Sequence, residues 1–160
     1  MNWSEFRTAA PDLAALGEER FERAGLSLVG TITARGYPRI SPIEPYIVEG
    51  ELMLGMMWRS KKALDLLRDP KLVVHSVVGD REGTEGDFKV YGRAVDVPDP
   101  ALRGRYGDAL EARIQWRPSE PFNLFRVDVE RAGFVIFGHD HYGLAWDPER
   151  GLRRLALPSV

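Results

Sequence analysis

The chain has 160 residues, 44% of them hydrophobic and 29% charged, which is about one globular domain and excludes a disordered or fibrous protein. Without cysteine it has no disulfide scaffold, thiolate zinc site, iron–sulfur cluster or cysteine nucleophile. The 22 basic and 24 acidic residues leave a net charge of −2, with no basic excess to neutralise a nucleic-acid backbone.

The polar stretch Met1 to Arg7 lacks an apolar signal core, and no apolar run approaches the ~20 residues of a membrane span, so a cytoplasmic protein without membrane association is expected. The first element is a helix over Pro11 to Ala24. Pro11 suits the first helical position, Asp12 the positive helix end, and Gly25 the stop. Strands follow at Leu26 to Ala34, Arg39 to Val48 and Glu51 to Met57, with tight turns at Arg35-Gly36 and Glu49-Gly50. Connections this short make antiparallel hairpins. Ser60 caps a short helix, Lys61 to Arg68, which stops before Asp69-Pro70. Strands at Leu72 to Val78 and Phe88 to Val97 precede a helix opened by Asp99-Pro100, with Leu102, Tyr106 and Leu110 on one face. Gly104 and Gly107 weaken that helix. Strands at Phe122 to Val129 and Gly133 to Phe137 come next. A hairpin of Tyr142 to Trp146 and Leu152 to Leu157 ends the chain.

There is no repeat or linker, so residues 1–160 read as a single domain. Its parts are an N-terminal helix (1–25), a barrel core (26–97), and a helix with C-terminal strands (98–160). Seven or eight strands with few helices predict a closed antiparallel barrel. In Leu72 to Val78, Val73, His75 and Val77 form a second face that is still largely apolar and needs a helix, a ligand or another subunit to cover it.

Chemistry concentrates between Gly36 and Arg68. At Trp58-Arg59-Ser60-Lys61-Lys62 a strand runs into a helix. The first helical N–H groups are free there, the dipole is positive, and Lys61 and Lys62 add two cations. Positive charge at a helix N-terminus costs a few tenths of a kcal/mol, so an anion such as a phosphate is one reason for it; a solvated surface turn is the other. Pairing about Glu49-Gly50 would bring Arg39 to the same junction, although a rim salt bridge also accounts for Arg39.

The ordered motifs Gly36-Tyr37-Pro38-Arg39-Ile40-Ser41-Pro42, Gly50-Glu51-Leu52-Met53-Leu54, Ser60-Lys61-Lys62-Ala63-Leu64, Arg68-Asp69-Pro70-Lys71-Leu72-Val73-Val74 and Lys89-Val90-Tyr91-Gly92-Arg93-Ala94 resemble the pyridoxamine 5′-phosphate oxidase-like, FMN-binding split-barrel family. The match covers about Leu26 to Val97. The resemblance implies a mainly β, six- to eight-stranded antiparallel split barrel with flanking helices. It also implies a homodimer with two cofactor sites at its interface. Members bind FMN or, in some branches, the deazaflavin F420; a few relatives bind haem. By resemblance, Arg39, Lys61 and Lys62 hold the flavin phosphate with Ser60 beside them. The ring lies along Ile40, Ser41 and Pro42 and along Gly55, Met56 and Met57. The family's vitamin-B6 oxidases carry Lys where this chain has Glu44 and a Tyr-Thr pair where it has Gly55-Met56. Their C-terminal arginine- and histidine-containing motif has no match in Phe134 to Trp146. These departures speak against pyridoxamine phosphate as substrate and leave flavin binding intact.

Other features have weaker claims. His139 and His141 share a strand face, which allows joint metal ligation, but no third ligand is evident and a polar turn explains them. Trp116 is placed either to stack on a cofactor ring from the neighbouring chain or to pack the barrel mouth or the dimer interface. Met53, Met56, Met57 and Trp58 read first as core packing, although a flavin bed uses the same residue types. No GxGxxG, GxxxxGK[ST] or GxSxG motif occurs, and no paired carboxylates or Ser–His arrangement claims a catalytic role. The leading expectation is an oxidoreductase using FMN, or alternatively F420, on an unidentified small molecule. A non-enzymatic flavin- or haem-binding protein and a cofactor-free interaction module are the alternatives.

Overall fold

The N-terminal stretch that reads as a polar lead-in is a helix, α1 (Trp3–Ala9), in the computed structural model, which describes residues 1–138 and 141–157. Asn2 accepts a bond from the Glu5 N–H, and the Glu5 side chain accepts one from the Asn2 N–H, forming a capping box. Trp3 and Phe6 lie on one face and are fully buried. The polar average of the segment hides this Asn-x-x-Glu signal. In α2 (Pro11–Ala24), Pro11 opens the helix and Gly25, at φ 63°, closes it in the left-handed conformation that a glycine adopts without strain.

The chain continues through β1 (Ser27–Ile32), β2 (Pro38–Ile43), β3 (Pro45–Val48), β4 (Glu51–Met57), α3 (Lys61–Arg68), β5 (Lys71–Ser76) and β6 (Asp87–Asp96). It ends with α4 (Pro100–Ile114), β7 (Phe122–Ile136), β8 (Tyr142–Asp147) and β9 (Gly151–Leu155). The protein is mainly β. Its strands form one antiparallel sheet in the order β2-β1-β5-β6-β7-β4-β3, with β8 on β7 and β9 on β8.

Nine strands among the described residues replace the expected seven or eight, and two of the expected strand divisions change. The run Arg39 to Val48 is two strands. β2 pairs with β1, β3 pairs with β4 about Glu49-Gly50, and the chain crosses between them at Glu44. Pro38 and Pro42 lack N–H donors, which suits β2 to a sheet edge. Conversely, the two strands expected at Phe122 to Val129 and Gly133 to Phe137 are the single 15-residue β7. The alternation breaks there because Glu130 is skipped in the pairing opposite Tyr91 and Gly92, a bulge within a continuous strand.

The sheet is consequently not closed. No ladder joins β2 to β3 or β4; the chain links the two edges at Glu44, and β2 approaches β4 without pairing with it. This is a split barrel, where strand count alone had predicted a closed one. Its main core gathers α1, α2 and the inner sheet face around Trp3, Phe6, Phe21, Phe88 and Trp146, with several rings packed edge-on. A second cluster packs Tyr106 and Leu110 of α4 on Tyr46, Met53 and Leu124. No described helix is long and apolar enough to cross a membrane.

Candidate functional site

The split leaves a cavity of roughly 730 Å³ between β2 and the end of β4. Residues Gly55 to Met57 pair with β7 on one side only, because the partner hairpin ends at Pro45 and the chain turns away. β2 likewise pairs only with β1. Two sheet edges with unpaired backbone groups therefore border the cavity, and unpaired backbone seeks a partner.

At one end stands the N-terminus of α3. Arg59 (φ 52°) makes the turn out of β4, and its N–H donates to the buried Asn123 Oδ1 at 2.8 Å. Ser60 occupies the cap position but forms no side-chain capping bond, contrary to expectation. Its Oγ is buried and makes no hydrogen bond. Lys61 is exposed. The Lys62 ammonium donates to the Pro42 carbonyl, and burial lowers its pKa against the opposing pull of Glu44. Arg39 reaches this end as well. Its Nε donates to Asp65 Oδ2 of α3 at 2.7 Å. Asp65 is buried and also accepts from Thr31 Oγ1 at 3.0 Å and, at 3.4 Å, from Arg68. Burial alone would raise its carboxyl pKa. The bonds from Arg39 and Thr31, the charge of Arg39 and the bond from Arg68 outweigh burial and hold it below the usual carboxylate range. Arg39 is thus anchored through Nε, and its terminal amino groups have no partner among the described residues.

The opposite wall is apolar. Met57 and Trp58 are exposed to the cavity, while Met56 is buried beneath. Gly55 has a steric reason: an added Cβ would overlap the Tyr106 hydroxyl and stand 3.0 Å from Tyr106 Cζ. A hydroxyl from α4 therefore occupies the space a side chain at position 55 would fill. Burial raises the pKa of that hydroxyl, so it is protonated at neutral pH. Trp116, half-exposed, and Pro118 close the far side.

The cavity brings together Arg39, Ser41, Pro42, Gly55, Met56, Met57, Ser60, Lys61, Lys62 and Trp116. Ile40 does not line it. Neighbouring strand residues alternate sides, and Ile40 is 71% exposed elsewhere. Met53 is core. His139 lies outside the described residues. His141 is exposed beside Tyr142 and Arg154, away from the cavity, and His75 sits near Asp87 and Lys89 on the outer sheet face. Among the described residues no cluster of three metal-ligating side chains occurs. Sequence reading missed Thr31, Asp65, Asn123 and the Tyr106 hydroxyl. Only Asp65 left a signal, as an acid on the buried stripe of a short helix.

The fold and site together define a split-barrel protein with a cation-ended cleft between its open edges. The chain belongs to the pyridoxamine 5′-phosphate oxidase family, whose model matches residues 17–136. No curated protein matches it. Among solved structures it is similar to a haem-binding protein of Mycobacterium smegmatis, at 20% identity and TM-score 0.63 over 84% of this chain, which spans 58% of that protein's length. PhzG of Burkholderia lata, solved with tetrahydrophenazine-1-carboxylic acid, is 15% identical with TM-score 0.63, over 94% of this chain and 93% of that one. HutZ, a haem storage protein of Vibrio cholerae, is 17% identical with TM-score 0.61, over 81% and 99%. At these identities the likeness is one of fold.

Proposed function

We propose that this protein is an FMN-binding oxidoreductase working as a homodimer. The carrying observation is the unpartnered, buried Ser60 Oγ at the start of α3, set among Lys61, Lys62 and the free end of Arg39. A phosphate satisfies all four at once, together with the free N–H groups of the first helical turn. A planar ring fits the remaining length, between the edge of Ser41 and Pro42 and the edge of Gly55 to Met57. The unpaired backbone there suits the donors and acceptors of a flavin ring. When bound, the flavin supplies the hydride chemistry, exchanged with a small organic substrate. The protein anchors the phosphate, orients the ring along two backbone edges and keeps water from one side of it. F420 is the alternative cofactor. Haem has less support, because no described histidine lines the cavity.

The dimer is supported by the outer face of β2, β1 and β5. Leu28 is 37% exposed there and Ile40 71%, and Val77, just past the end of β5, is 39% exposed. On β1 this outer face is more apolar than the buried one, which carries Ser27 and Thr31. A second copy covering this face would enclose the cleft, and Ile40 belongs to that contact.

The test is the absorbance spectrum of the purified protein, then its melting with added FMN or F420. A ligand at 100 times its Kd stabilises by ~2.7 kcal/mol. A colourless protein whose melting is unmoved by excess of either cofactor refutes the proposal.

A further inference from the structure

Residues 115–121, between α4 and β7, bring Trp116, Pro118, Ser119 and Pro121 to the cavity wall. Two arginines tie this irregular segment to α4 from opposite ends. Arg117, in the segment, lies back across the helix. It donates to Asp108, to Glu111 at 3.3 Å and to the Gly104 carbonyl at 3.2 Å. Arg103, in the helix, reaches the other end. Its Nη2 bonds both Glu120 oxygens at 2.8 and 3.0 Å and the Phe122 carbonyl at 2.8 Å, and its guanidinium sits 4.2 Å from the Phe122 ring centre.

Arg117 can lie flat because of a notch. A Cβ at Gly107 would stand 2.9 Å from its Nε and Cζ, whereas a Cβ at Gly104 would meet nothing within 4 Å. Glycine weakens a helix interior, but at Gly107 the missing side chain leaves the room that Arg117 occupies. Asp108 and Glu111 are well exposed, and exposed ion pairs contribute little to global stability. The contacts act locally, on where the segment sits.

We infer that Arg117, seated in the Gly107 notch, is a positioning residue that holds Trp116 at the cavity wall as a fixed stacking surface for a planar ring. The stacking role rests on the proposed cofactor reading; the clamp does not. The chain labelled with 5-fluorotryptophan gives one fluorine resonance per tryptophan, four in all, and Trp116→Phe assigns the one that matters. In the ligand-free protein, Arg117→Ala and Gly107→Ala are expected to move or broaden the Trp116 resonance, while Gly104→Ala leaves it in place. Gly107→Ala displaces only the flexible end of an arginine, so its melting temperature stays near that of the parent. With FMN, the parent's Trp116 resonance shifts on binding. Arg117→Ala loses at least half that shift and binds FMN about fivefold more weakly, within what one aromatic stack contributes. Arg117→Lys keeps the charge but not the fork and recovers little. An unmoved Trp116 resonance in ligand-free Arg117→Ala and Gly107→Ala overturns the clamp. FMN binding that leaves the parent's Trp116 resonance untouched overturns the stacking role. Failure of FMN to bind the parent at all counts against the cofactor reading instead, and the ligand-free comparison still decides the clamp.

Discussion

Reversing the charge of Lys61 should move stability and cofactor affinity in different ways. Lys61 is the first residue of α3, is exposed, and has no bonding partner among the described residues. In Lys61→Glu a carboxylate replaces an ammonium at the positive helix end, worth about 0.3–1 kcal/mol in favour of the helix. Its new neighbour one turn on, Asp65, returns about 0.2–0.5 kcal/mol as like-charge repulsion. The net effect on folding lies near zero or slightly positive, a melting change of at most about 2 °C. Binding goes the other way. Opposite unit charges 4 Å apart attract by about 1 kcal/mol in water, so a swing of two charges against a phosphate carrying about −2 amounts to about 4 kcal/mol. Salt screening and side-chain mobility cut this roughly in half. The FMN dissociation constant should therefore rise about 30-fold. Thermal melting of the ligand-free protein and a fluorescence titration with FMN measure the two quantities separately. An affinity change below about threefold, or a melting loss above about 5 °C, would refute the reasoning, because either shows that Lys61 does something other than face the phosphate.

Asp65→Asn should destabilise the fold by about 2 kcal/mol at neutral pH, since it removes a buried charge bonded by Arg39 and Thr31. The native carboxyl pKa is depressed, so the stability it contributes is present above the unfolded value near 4 and is lost as pH falls through the lower native value. The gap between variant and parent in urea midpoints should shrink below about pH 4, and a gap constant down to pH 2 contradicts the assignment. Gly55→Ala should cost about 1–3 kcal/mol by forcing the Tyr106 ring away, and adding Tyr106→Phe should return part of it; no recovery means the clash is with something else. Trp3→Ala should cost about 3–5 kcal/mol, because a fully buried ring touching Phe6, Phe21 and Phe88 is removed and Glu18 loses its indole donor; a loss under 1 kcal/mol would show that α1 is not part of the core.

What could be read from the chain alone was local. The bounds of α2 and α3 were legible because Pro11, Gly25 and Asp69-Pro70 act within a turn of themselves. The cation pair at Lys61 and Lys62 was legible because a helix start creates free N–H groups wherever it occurs. The ordered motifs carried the family. Long-range pairing decided everything else. That Arg39 to Val48 splits at Glu44 depends on β1 and β4 standing at opposite edges, which no window of the sequence contains. Asp65 stood in the sequence as an acid on the buried stripe of a short helix, and only packing brings Thr31 and Arg39 to it from β1 and β2. Gly55 read as a lost side chain, and only the tertiary fold shows the Tyr106 hydroxyl lowered from α4 into its place. The sequence determined the bounds of α2 and α3 and where positive charge gathers, because those follow from neighbours along the chain. The open edges, the cavity between them and the partners of each cation were left to the tertiary structure, because they depend on residues far apart in sequence sharing one small volume.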